Sequence, residues 1–157
     1  MAAIDYDDIE DQIASVIQAG SGLAVSDGVK VLIEEEFSQV VGGMDNGKLV
    51  IVYLDDRIPS AGQPIAAGQR ARMQIGFSIL VAALAVDSFR AAAALRTDLV
   101  GRVEIALLSN PKLNNRVASS WLLGGEFYSM RKKQSDGLQY MAVAEVKLVA
   151  EATATTQ

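Results

Sequence analysis

Along residues 5–19, Ile9, Ile13, Val16 and Ile17 recur at spacings of four, three and one, which line one face of a helix. Asp5, Asp7 and Asp8 fall in its first turn, where the helix dipole favours negative charge, and Gly20-Ser21-Gly22 ends it. Residues 29–37 alternate and predict a strand, followed by turn signals at Gly42-Gly43 and Asp45-Asn46-Gly47. Residues 48–54, KLVIVYL, are nearly all apolar and β-branched, as expected of a strand covered on both faces. Residues 55–70 lose the pattern and hold two of the three prolines, so a long functional or disordered loop is expected there. A long strand over 71–83 puts Met73, Ile75, Phe77, Ile79 and Val81 on one face, with Gly76 as a bulge or twist. Asp87-Ser88 reads as the N-cap of a helix of roughly 20 residues. Its apolar stripe is Leu95, Leu99, Val103, Ala106 and Leu107, and Asn110-Pro111 stops it. The alanine run 91–94 permits close packing against a sheet or a neighbouring subunit.

Two more strands close the chain, 117–130 broken at Gly124-Gly125, and 138–149. Between them Arg131-Lys132-Lys133-Gln134-Ser135-Asp136-Gly137 predicts a basic hairpin tip. Phe77 and Trp121 are expected in the core. The order α, β, β, loop, β, α, β, β gives an α+β fold, a mostly antiparallel sheet with two main helices packed on one face. One domain is expected over 1–150, with 151–157 a flexible tail.

Composition narrows the chemistry more than the fold. There is no cysteine, which removes disulfides, thiolate nucleophiles and cysteine zinc sites. There is no histidine, which removes serine triads, imidazole bases and nearly every transition-metal site. No enzyme and no cofactor is expected. No secretory signal is expected either, since acids follow Met1-Ala2-Ala3 at once. The most apolar stretch, Ile75–Val86, is too short for a membrane span, which needs about 18–20 residues. A soluble, intracellular protein with no membrane partner is expected.

The net charge of −5 disfavours free nucleic-acid binding. That charge is unevenly divided. Residues 1–56 carry twelve acids against Lys30 and Lys48, a balance of −10, whereas residues 57–157 carry twelve bases against seven acids, a balance of +5. Either this is an accident of sequence, or acidic and basic surfaces meet between copies or with a stacked partner. The candidate contacts are Glu34, Glu35 and Glu36 on the acidic side and Arg57, Arg70, Arg72, Arg131, Lys132 and Lys133 on the basic side.

Each acidic motif has a plainer reading that is preferred to a metal site. Glu34–Glu36 reads as a solvated strand end, and Asp45-Asn46-Gly47 as a hairpin turn, since no acid closes a calcium loop. Asp55-Asp56 is a strand-end pair whose alternative is a carboxylate-dependent hydrolase. No GxGxxG follows a strand and no GxxxxGK[ST] is present.

Taken together, the acidic N-terminal helix, the strands LVIVYLDD and RARMQIGFSILVAAL, the helix DSFRAAAALRTDLVGRVEIALLSN and the closing unit WLLGGEFYSMRKKQSDGLQYMAVAEVKLV resemble the tail-terminator proteins of long-tailed bacteriophages. The likeness is to the minor tail protein U-like group, including its Mu-like branch. It covers nearly the whole chain as element order and texture, with no motif that carries functional residues across. It implies a homohexameric ring that caps the tail tube, stops its polymerisation and presents a surface to the head connector. The implied partners are further copies of the chain, the tail tube protein and the head–tail connector. The implied place is the tail–head joint of the virion, assembled in the host cytoplasm. Other neck or head-completion proteins, and small-ligand regulatory domains, are the competing readings.

Overall fold

In the computed structural model, which describes residues 3–37, 47–60, 70–133 and 140–155, helix α1 spans Tyr6–Gln18. Asp5 caps it, its carboxylate accepting from the Asp8 amide at 3.0 Å. A short 3-10 turn, Val25–Asp27, leads into strand β1, Val29–Ile33. Strands β2, Gly47–Pro59, and β3, Arg70–Ala85, follow. Helix α2, Phe89–Leu108, precedes strands β4, Ser119–Lys133, and β5, Tyr140–Thr155. Ser88 caps α2 by accepting from the Ala91 amide at 3.1 Å.

The sheet runs in the order β1-β2-β3-β5-β4. Only β1 and β2 are parallel; the other neighbours are antiparallel. The fold is therefore α+β with a mostly antiparallel sheet. Helix α1 lies over β1 and β2, and α2 lies over β3 and β5. Both helices bury their apolar stripes on the same face. Ile9, Ile13, Val16 and Ile17 of α1 and Leu99, Val103 and Leu107 of α2 meet Val50, Val52, Ile75, Phe77, Ile79, Val146 and Leu148. Each fully buried isoleucine, such as Ile13 or Ile17, contributes roughly 1.5–3 kcal/mol. Ala92 packs on Ala85 and Ala142, so the alanine run does bring helix and sheet close.

The face away from α1 and α2 is divided along its length, and Phe37 packs on its apolar end. One end is apolar, with Leu49, Ile51, Ala82, Leu84, Met141 and Val143 buried together. The other end carries Arg72, Gln74, Ser78, Glu145, Lys147 and Glu151. There Ser78 donates to Glu145 at 2.8 Å, and Arg72 pairs with Glu151 at 3.5 Å.

Strand β1 stops at Ile33 and not at 37, since Glu34 takes a left-handed φ of 52°, and the parallel pairing of β1 with β2 excludes the expected hairpin between them, Gly47 being the first residue of β2. Four further expectations need correction. Residues 55–59 are not loop: β2 continues past a bulge between Leu54 and Asp56, with Arg57 opposite Ile75 and Pro59 opposite Met73. The periodicity is lost in sequence because the bulge flips the inward register, while Pro59 is tolerated at the strand end. Gly76 faces that bulge, and the Asp56 carboxylate lies where a side chain at 76 would go. Secondly, residues 151–155 are not a loose tail, because β5 runs on to Thr155 against Arg70–Gln74. The β-branched Thr153 suits an extended strand. Thirdly, β4 is not broken at its glycines. A bulge at Leu123 absorbs the irregularity, and Gly125 is required because a Cβ there would strike the Glu145 carbonyl oxygen. Lastly, Phe77 is core at 1% exposure, but Trp121 belongs to no buried cluster. It is half-buried opposite Val149. The turn residues Gly42, Gly43, Asp45 and Asn46, loop residues 61–69 and tip residues 134–137 lie outside the described residues.

Candidate functional site

The sequence-predicted contact residues do not form one site; the strand order distributes them over the molecule. Glu34, Glu35 and Glu36 follow β1, at one edge of the sheet. Arg131, Lys132 and Lys133 end β4, at the opposite edge, with Lys132 opposite Met141 and Lys133 opposite Tyr140. They are the last strand residues of the hairpin rather than part of its turn. Arg57 lies on the helix side, its guanidinium 5.7 Å from the Tyr6 ring centre. Arg72 lies on the other side, paired with Glu151. Arg70 stands opposite Thr155. The side chains of Arg70, Arg131, Lys132 and Lys133 lie outside the described part of the structure.

Because α1 and β1 come from the acidic part of the chain and occupy one side of the sheet, their acids gather there, with Arg57 and Arg116 of the later chain among them. The acids of α1 and Glu34–Glu36 sit together on the β1 side. The basic residues of the later strands are spread across the sheet, Arg57 on β2, Arg70 and Arg72 on β3, Lys147 on β5 and Arg131, Lys132 and Lys133 on β4.

The acidic side contains an interaction that sequence reasoning missed. Glu10, on α1, is only 3% exposed. Its Oε2 is buried, and no donor reaches it. Its carboxyl meets that of Glu34. Two ionised carboxylates cannot hydrogen-bond each other, so one must keep its proton. Glu34 has the wetter surroundings of the two. Its Oε1 accepts from the Leu54 amide at 2.7 Å, and it is exposed. Burial, then the bond to and charge of Glu34, then Asp7 and Asp11, push the Glu10 carboxyl from its ordinary 4.5 to about 8. Glu10 thus donates to Glu34 at neutral pH. Glu34 itself holds a left-handed φ of 52°, with its amide donating to Val52 O at 3.0 Å. The signal for Glu10 was in the sequence: positions 10, 13 and 17 share the buried helical face.

Nearby, the Tyr53 hydroxyl donates to the Glu35 carbonyl. Burial, then Glu34, Glu35 and Glu36, hold the tyrosine above its ordinary pKa.

The β4 edge has a different character. Leu123 and Phe127 are exposed by 64% and 56%. Arg96 of α2 stacks on the Phe127 ring at 4.9 Å and donates to the Tyr128 carbonyl at 3.3 Å.

A groove of about 580 Å³ lies between the C-terminal halves of α1 and α2, lined by Val16, Arg102, Ile105 and Ala106 among others. None of the candidate contact residues borders it. Among the described residues no three Asp or Glu side chains gather as metal ligands would, and no helix is long and apolar enough to cross a membrane. Compared with known families and with curated proteins, the chain matches no family model and no curated sequence.

Proposed function

We propose that this chain is a structural protein of the tail-terminator kind. It closes into a ring of like subunits, most simply a hexamer, on the end of a phage tail tube. There it stops tube growth and offers a joining surface to the head connector. The observation that supports this most directly is an open sheet whose two edge strands, β1 and β4, are unlike, run opposite ways and carry exposed Lys30 and exposed Glu126 respectively. Such a subunit offers one edge to the other edge of a rotated copy, which is what a head-to-tail ring requires. Exposed charge and the exposed apolar Leu123 and Phe127 on the β4 edge suit a contact surface.

The reading is tested by gold-labelled antibody against the protein, applied to a phage lysate in which it is expressed. Label at the tail–head joint is the expected result. Label confined to capsids, or absent from every particle, overturns it.

A further inference from the structure

We infer that the ring is built by sheet extension, with the β4 edge of one copy pairing antiparallel with the β1 edge of the next. The inference rests on the ring reading, and it specifies the surface. Three independent features of the fold agree on it.

The first is level. Following hydrogen-bonded neighbours across the sheet, Val31 lies beside Val50, Val50 beside Val81, Val81 beside Ala144, and Ala144 beside Phe127. Lys30–Ile33 of β1 therefore stand level with Gly125–Tyr128 of β4, and Val29 with the bulge that follows Tyr128. A copy displaced sideways by one sheet width meets its neighbour with no slip along the strands. Zero slip is the condition for a closed ring; a slip would give a helical filament.

The second is direction. β1 and β2 run one way, β3 the other, β5 back again, and β4 opposite to β5. Hence β4 is antiparallel to β1 of an unflipped copy, the pairing that forms most readily between edges.

The third is face. Val31 packs with the helix-side core, and Phe127 lies on the same side beneath Arg96. Leu32 and Tyr128 both pack against the cluster on the other side. Pairing Phe127 with Val31 of the next copy continues both apolar layers across the junction. It also sets exposed Lys30 opposite Tyr128 and diagonal to exposed Glu126, within reach of long side chains. A lysine on an edge strand ordinarily guards against unwanted pairing. Here the neighbour supplies its counter-charge, and Glu126 gains relief from Glu145, which stands directly across from it on β5.

The chain has no cysteine, so introduced thiols report without background. Chains carrying Val31→Cys are mixed with chains carrying Phe127→Cys and oxidised gently. The expected result is a cross-linked dimer of one of each, and a ladder up to the ring from the double variant. Phe127→Cys chains linking to one another indicate a two-fold β4–β4 contact and overturn the inference. So does an oligomer by light scattering that gives no cross-link. A second arm needs no core substitution. Lys30→Glu or Glu126→Lys alone should weaken assembly about three- to tenfold at low salt, and the two together should restore it. Failure of the swap to restore assembly overturns the pairing register. Cross-linking by a protein that never labels phage tails leaves this inference standing and removes the tail reading alone.

Discussion

Glu10 gives the folded protein a pH dependence opposite to that of a salt-bridged surface acid. Its carboxyl is raised from 4.5 to about 8 by burial and by Glu34. Between those values the folded chain holds a proton that the unfolded chain has released. Stability at this site is therefore full below pH 4.5 and is lost as pH rises toward 8, at up to about 1.4 kcal/mol per unit. Glu10→Gln keeps the size and can still donate to Glu34, but cannot ionise. Urea unfolding from pH 5 to 8 should show a falling midpoint for the native chain and a flatter one for the variant. Parallel curves would show that Glu10 is charged throughout. The same site explains why a left-handed, non-glycine residue is tolerated at position 34. Its side chain is held by Leu54 on one side and by Glu10 on the other, which together offset a backbone cost of about 1–3 kcal/mol.

At the scale of elements, α2 offers a paired test of how closely helix and sheet are fitted. Ala92 is fully buried against Ala85 and Ala142, and Leu there should cost at least about 1–3 kcal/mol by overpacking. Gly101, on the same helix, has nothing within 4 Å of a built Cβ, and Ala there should add about 0.5–1 kcal/mol. Thermal melts of the two variants should move in opposite directions; movement in the same direction would mean that the helix packs differently. Both effects follow from periodicity that could be read in advance, and so did most of the architecture. Helix α2, the inward face of β3 and the capping residues Asp5 and Ser88 are written in local patterns. The departures are where tertiary pairing outweighs local signal. Asp55 interrupts the alternation, yet β2 resumes because β3 continues beside it. The Ala152–Thr155 segment is too polar and small to announce a strand, yet β3 is long enough to pair with it. The candidate site was less legible than the fold. Charged residues could be listed by type, but which edge they occupy depends on strand order, and that is fixed by long-range pairing.

At the scale of the molecule, charges that come level across the edge-to-edge junction predict salt-sensitive assembly. Lys132 and Lys133 stand at the level of Ala85 and the start of β2, where the opposite edge carries the exposed turn containing Asp27. Replacing Arg131, Lys132 and Lys133 together by Glu should leave the monomer's melting temperature within a few degrees of its original value. The oligomer seen by sedimentation should fall sharply, as it should for the native chain in high salt. Normal assembly of the triple variant at low salt would assign those residues to solvent.

The parallel pairing of β1 with β2 has a consequence in time. Every other strand neighbour is antiparallel. β1 alone lies beside a strand running the same way, and it is an edge strand of only five residues. Parallel, long-looped pairings form late and open first. Hydrogen exchange should thus find the β1 amides the least protected of the sheet. The short β1 therefore also serves as a cover, because its opening lays bare β2, a longer apolar strand running the same way, as an edge open to unspecific pairing.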